Sequence, residues 1–360
     1  MKAHKIIVLA CLTSIVFGCS ETTEPDPPPQ NAESQEVAIS PEEEKFLRKL
    51  EVLSPEQIET MAKSYLKLAH EEFDRKAYPE SIASASKAII AATYSPKHPK
   101  IAALAYTLRA DANLIWVDGD NHQATEDIRK ALKLSEDIEH GYTILGKCLD
   151  AQGQYKEAIY AFTKAIEKNP NNKKTPYSHR AGVYQQLGEF EKAIDDFTKT
   201  IELQPHKWFA FRSRALLYKR LGKVDSALAD FEESLKRQKE NEKKGGYLET
   251  LKIKAVYLIE LGRKKEALED LNKIIAMDPK SDDVFRLRGE IHEEMGNLDQ
   301  ALKDYTASID LLPQFSRASL VARAGLYKKM GKENLAQKDL ARAKQIEKKP
   351  AIEPVYDFKK

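Results

Sequence analysis

Residues 142–170, YTILGKCLDAQGQYKEAIYAFTKAIEKNP, decide the fold of this chain. Gly153 is followed five residues later by Ala158. The same pairing returns as Gly119/Ala124, Gly188/Ala193, Gly222/Ala227, Gly262/Ala267, Gly296/Ala301 and Gly331/Ala336. From Gly119 onward the steps between successive glycines are 34, 35, 34, 40, 34 and 35 residues. A fixed period in the thirties means stacked copies of one supersecondary unit. Most of the chain is therefore an array, with units beginning near residues 62, 105, 139, 174, 208, 248, 282 and 317.

The recurring residues have physical roles. Each glycine stops the first helix of its unit, helix A, where a left-handed residue costs little only without a Cβ. Ala158 and its counterparts let the second helix, helix B, approach closely; Gly146, Ala181, Ala215, Ala255, Gly289 and Ala324 do the same from helix A. Phe162, Phe197, Phe231, Leu271, Tyr305 and Leu340 recur at one phase and fill the space between neighbouring pairs. Pro170, Pro205, Pro279 and Pro313 close four units, because proline cannot continue helix B. This pattern resembles the tetratricopeptide repeat over roughly residues 62–349. The resemblance implies an all-α fold, a right-handed α-solenoid of stacked helix-turn-helix units. The first unit departs from it, with Lys76 at the turn glycine and Ser81 at the alanine.

The chain divides into four parts by composition. Residues 1–18 read as a secretory signal: Lys2 and Lys5, then an apolar run from Ile6 to Phe17 too short to span a bilayer as a helix. Val16-Phe17-Gly18-Cys19 resembles the lipobox of bacterial lipoproteins. That resemblance implies acylation of Cys19, a lipid anchor, and the bacterial cell envelope as the location, the outer membrane in particular because Ser20 is not aspartate. Residues 19–53 are expected to form a disordered tether, acidic and proline-rich at Pro25 and Pro27-Pro28-Pro29. Residues 54–349 hold about seven to eight units, opened by Ser54 as helix cap with Pro55 behind it. Residues 350–360 form a tail whose Ile352, Val355, Tyr356 and Phe358 are suited to covering the last unit.

The long step from Gly222 to Gly262 places extra residues around 239–246. They read either as a longer helix B with a solvated end and a glycine stop, or as a hinge dividing the array.

Charge and chemistry exclude several classes. Lys and Arg total 58 against 56 acids; without the first 18 residues the balance is 56 to 56. A neutral chain lacks the basic excess that general nucleic-acid binding needs. Of three cysteines, Cys11 leaves with the signal and Cys19 is the acylation site, so Cys148 is a lone packed thiol. Gly222-Lys223 and Gly331-Lys332 resemble the end of a phosphate loop but lack the following Ser or Thr. No catalytic constellation, metal-ligand spacing or cofactor fingerprint is present, so the chain is read as a non-enzyme without cofactor or metal.

The resemblance also implies where a ligand binds. In this family, positions two, five, nine, twelve and thirteen of helix A face the concave groove and touch bound peptide. Carried onto this sequence they give Arg109, Asn113, Trp116, Lys147, Arg212, Lys219, Arg220, Lys252 and Arg286, with Glu290, Glu293 and Glu294 beside the last. The fifth position is basic in four units, which suits an acidic segment or a free C-terminus. The expected function is a lipid-anchored adaptor that binds envelope proteins or peptides and supports assembly of an envelope complex, such as pilus, secretion, outer-membrane or peptidoglycan machinery. The alternative is a solute-binding or enzymatic lipoprotein with its site in the same groove.

Overall fold

A computed structural model describes residues 40–94, 99–138, 140–171, 176–240 and 244–348. The signal sequence, Cys19 with its lipobox, and the tail 350–360 lie outside the described residues. Among those described, every regular element is an α-helix. Packing divides the chain at Leu203/Gln204 into two compact units, each holding four helix pairs.

The first unit opens with α1 (Pro41–Leu50), followed by the pairs α2 (Pro55–Asp74)/α3 (Tyr78–Tyr94), α4 (Pro99–Ile115)/α5 (Asn121–Leu134), α6 (Gly141–Ala151)/α7 (Tyr155–Lys168) and α8 (Pro176–Gln186)/α9 (Phe190–Leu203). The second holds α10 (Trp208–Arg220)/α11 (Val224–Glu240), α12 (Lys244–Glu260)/α13 (Lys264–Met277), α14 (Asp282–Glu294)/α15 (Leu298–Leu311) and α16 (Arg317–Lys329)/α17 (Glu333–Lys348). Within each pair the two helices pack on one another, and each B helix packs on the next A helix of its unit. In the first unit α2, α4, α6 and α8 also touch in succession, so the A helices form one continuous side.

The small residues sit where the expected contacts are. A Cβ on Gly146 would lie 2.6 Å from the Phe162 ring, and one on Gly289 would lie 2.8 Å from Tyr305. Neither ring has room to retreat, because Phe162 and Tyr305 are themselves fully buried. Each bulky B-helix residue is capped by the next A helix: Phe162 by Val183, Phe231 by Tyr257, Tyr305 by Leu326. Burying such a ring contributes about 2–3 kcal/mol. Leu340 departs from the series at 37% exposed, since no described A helix follows α17.

Six turn glycines are left-handed, from Gly153 (φ 72°) to Gly331 (φ 72°), but Gly119 is not among them. Helix α4 stops at Ile115, four residues before Gly119, where later A helices stop two before their glycine. Gly119 is required for closeness: a Cβ there would lie 1.9 Å from the Asn113 carbonyl. The left-handed place in the first pair is taken by Lys76 (φ 63°), a strained choice for a residue with a side chain. Ser81 replaces the approach alanine and is fully buried, its hydroxyl donating to the Ala69 carbonyl at 2.8 Å.

Two expectations are corrected. Residues 41–50, assigned to the tether, form α1. Ser40 and Glu43 close a capping box, Pro41 starts the helix, and Phe46 and Leu50 are buried, Phe46 edge-on to Tyr65 at 5.5 Å. Of the two readings of the extra residues after Gly222, the longer helix B is found but without its glycine stop, and residues 241–243 lie outside the described residues. α11 and α12 each run 17 residues, and Gly245-Gly246 lies inside the first turn of α12 and does not stop α11. Gln238, fully buried, bonds Ser234 and Thr250 across the extension, and the division into units falls elsewhere, at Leu203/Gln204.

A further periodicity runs through the core. Arg180 grips Asp196 with two parallel bonds of 2.8 Å. Arg214–Asp230, Arg288–Asp304 and Arg323–Asp339 repeat that fork, each pair sixteen residues apart. The remaining guanidinium nitrogen reaches the preceding B helix, at Thr163 from Arg180, Asn272 from Arg288 and Thr306 from Arg323. Lys254 does the same with one ammonium, pairing Asp270 at 2.9 Å and Glu232. The α6/α7 pair carries Leu145 and Ala161 at these places and has no such rung.

Candidate interaction site on the helix-A face

In each unit the A helices present a face away from their B partners, and the two faces are furnished differently. Ten residues before the turn glycine, three of the four pairs in the second unit carry Arg212, Lys252 and Arg286 and the last carries Val321, whereas the first unit carries Thr143 and Ser178.

In the second unit these cations are already answered. Arg212 pairs with Glu249 of α12 at 2.8 Å and stacks over Trp208 at 5.0 Å. Lys219 pairs with Glu260 at 2.8 Å and lies over Tyr257. Lys252 reaches Asp283 of α14 at 2.7 Å, and Arg286 bonds Glu290 one turn along its own helix. Lys264–Glu294 at 2.9 Å and Lys329–Glu293 at 2.6 Å continue the series. Arg220 is exposed at the end of α10. An acidic ligand here would have to displace a carboxylate at nearly every cation it met.

In the first unit the expected residues separate. Arg109 is a scaffold residue: it forks onto Asp127 at 2.7 and 2.8 Å and reaches Ser86 at 2.9 Å. Counting back from Gly119 misplaced it by two residues, because the turn after α4 is longer; measured from the helix end it is the counterpart of Arg214. Asn113 is buried, donating to the Arg109 carbonyl and accepting from the Asp120 amide. Trp116 lies past the end of α4, in the turn. Of this group only Lys147 faces outward, paired with Asp111 of α4 at 2.9 Å.

Around that pair the face is hollow. A cleft of 490 Å³ is floored by Leu104, Thr107 and Leu108 of α4 and by Thr143 and Ile144 of α6. His70, Phe73 and Asp74 of α2 form one wall, Ile138 and His140 line the approach to α6, and His179 of α8 forms the far side. The cleft exists because small side chains stand where the second unit has long basic ones. Thr107 turns its hydroxyl onto the Ala103 carbonyl at 2.8 Å, while the buried Thr143 hydroxyl has no partner. His179 stacks on Phe162, ring centres 5.8 Å apart. Burial, reinforced by the nearby Lys147 ammonium, pushes its pKa down to about 4, so it is neutral at pH 7.

Other chemistry is absent from the described residues. No cluster of His, Cys, Asp or Glu is disposed to hold a metal ion. Cys148 is fully buried, and desolvation pushes its thiol up to about 12, so it is an unreactive core residue.

Two family models described as tetratricopeptide repeat match the chain, one over residues 141–172 and the other over 180–242 and 254–320. These segments are tetratricopeptide repeats. No curated protein sequence matches the chain significantly. Among solved structures, YrrB, a tetratricopeptide repeat protein with an unusual peptide-binding site, is 24% identical, covering 52% of this chain and 92% of that one, TM-score 0.42. A tetratricopeptide repeat protein from Parabacteroides merdae is 24% identical over 67% of this chain and 93% of its own, TM-score 0.46. The type IV pilus biogenesis factor PilW is 18% identical over 58% and 93%, TM-score 0.45. Tetratricopeptide repeat proteins mediate protein–protein contact and peptide binding. The cleft sits on the helix-A face of the first unit, at the junction of α4 and α6, immediately before and within the first matched repeat.

Proposed function

We propose that this chain is a non-enzymatic adaptor of the bacterial cell envelope, anchored by lipid on Cys19, that captures a segment of a partner protein in the cleft of its first unit. The observation that carries the binding half is the 490 Å³ hollow across α2, α4, α6 and α8, whose counterpart in the second unit is closed by ion pairs. The anchoring half rests on the sequence Val16-Phe17-Gly18-Cys19 after a short apolar run. Two acyl chains on one residue hold a protein to a bilayer where one does not, at roughly 0.8 kcal/mol per buried methylene.

Both halves are testable in cells. A photo-crosslinking residue at Leu104, exposed in the cleft, should trap a partner, while the same group at Tyr160 on α7, also exposed, should not. Equal trapping at both places refutes the site. Metabolic labelling with an alkyne-bearing palmitate should mark the native chain and not Cys19→Ser; unlabelled native chain refutes the anchor.

A further inference from the structure

We propose that the cleft of the first unit is built for a basic side chain: a lysine or arginine of the partner whose aliphatic stem lies over Phe73 and Leu104 and whose charged head meets Asp74 and Asp111. This rests on the cleft being the partner site, and it reverses the acidic ligand that the basic helix-A residues suggested.

Three observations carry it. Asp74, the last residue of α2, is exposed on the cleft wall, and its carboxylate makes no hydrogen bond or ion pair among the described residues. Asp111 is held by Lys147 alone, at 2.9 Å, and a carboxylate has acceptor positions for more than one cation. Lys147, the one ammonium lining the cleft among the described residues, is already spent on Asp111, and His179 is neutral at pH 7. Leaving the other histidines aside, the cleft therefore offers two carboxylates against one committed cation.

The alternatives fit less well. An acidic side chain would face Asp74 and would have to pull Lys147 from Asp111. A purely aliphatic one would satisfy Leu104 but bring Asp74 out of water with no partner, which is unfavourable. A long basic side chain meets both demands, since its stem is apolar and only its end is charged.

Nine-residue fluorescent peptides of Ala, Gly and Ser, each with a central Arg, Lys, Leu or Glu, would be titrated against the full chain by anisotropy. The Arg and Lys peptides are expected to bind at least about threefold more tightly than Leu, with Glu weakest. Asp74→Asn should reduce the basic preference by about two- to fivefold, the scale of an exposed ion pair. Because Asp74 holds nothing in the fold, that variant should keep the native melting temperature. Leu104→Ser should weaken every peptide. Leu or Glu peptides binding as well as Arg, or an Arg preference untouched by Asp74→Asn, overturns the inference. If peptides bind without a basic preference yet are lost in Leu104→Ser, the cleft remains the site and only its chemistry is wrong. If no peptide responds to Leu104→Ser, both fall.

Discussion

The two units are built from the same helix pair, yet their helix-A faces have opposite characters. In the second, Arg212 and Lys252 stretch to acids on the next A helix and lace the face shut. In the first, Thr107 and Thr143 stop short, and a hollow remains between α4 and α6. The scaffold residues hardly differ: alanines at the helix crossings are fully buried in both. A repeat thus separates two tasks by position. Residues toward the B helix fix the stack, and residues on the outer A face are free to close it or leave it open.

The sharpest way to break this contrast is to give the first unit the second unit's furniture. Thr107→Arg should fill the floor of the cleft and pair with Asp111 one turn on, reducing peptide binding by more than about tenfold while leaving the melting temperature within about 2 °C, as a surface pair would. Anisotropy and calorimetry on the same variant check both parts.

The next test falls on what the units share. Asp196→Ala strands Arg180 in a site where only 16% of its side chain is exposed. The cost should be about 2–3 kcal/mol, below the range for fully buried pairs because the guanidinium keeps some water. The double variant Arg180→Leu with Asp196→Ala copies Leu145 and Ala161 of the α6/α7 pair and should recover most of it. Urea unfolding of the three proteins gives the comparison; a double variant no better than the single one would mean the rung itself is indispensable.

Acid should weaken the first unit selectively. His179 holds a pKa near 4 when folded against 6.5 when exposed. As pH falls through 6.5 the unfolded chain takes up a proton that the folded chain refuses until about 4. Stability from this residue is therefore complete above 6.5 and is lost progressively down to 4. The equivalent places in the second unit hold Ser213, Ile253, Leu287 and Ala322, which do not titrate. His179→Gln should narrow the difference between melts at pH 7 and pH 4.5.

The smallest effect is expected from opening the second unit. Arg212→Thr and Lys252→Thr each break a pair whose acid is about half exposed (59% and 42%). Each should cost under about 1 kcal/mol, and less in high salt. A larger, salt-independent loss in thermal melts would make these pairs part of the scaffold.

How much of this was legible depended on whether a residue's partner was near in sequence. The glycine–alanine beat and the phenylalanine phase announced the helix pairs because their meaning is local to one turn or one crossing. The same beat misled at Gly119, where a longer turn shifted Arg109 from the outer face into the rung beneath. Lys76 was placed at the turn by alignment with the later repeats, although nothing in its side chain signals the left-handed backbone it adopts. α1 was hidden by its acids, although Ser40-Pro41-Glu42-Glu43 has the same start signal as Ser54-Pro55-Glu56-Gln57. The outer basic residues were found by position, but their partners lie 37 and 31 residues on, beyond any local pattern. The rungs were legible in principle, as a basic residue sixteen before an aspartate in five successive pairs.

The missing rung at α6/α7 has a consequence for how the first unit comes apart. Arg109 ties the second pair back to Ser86 of the first, and Arg180 ties the fourth back to Thr163 of the third. Between the third pair and the second the tie is of another kind: Lys147 reaches Asp111, Gln152 bonds Asn121 and Thr125, and Ile144 and Cys148 join the apolar cluster of the first two pairs. In an array whose cooperativity is a chain of nearest-neighbour couplings, the chemistry of each step decides what loosens it. The step beneath the cleft is held by apolar packing and a partly exposed ion pair where its neighbours have a buried arginine fork. A partner seated there would brace that step from outside.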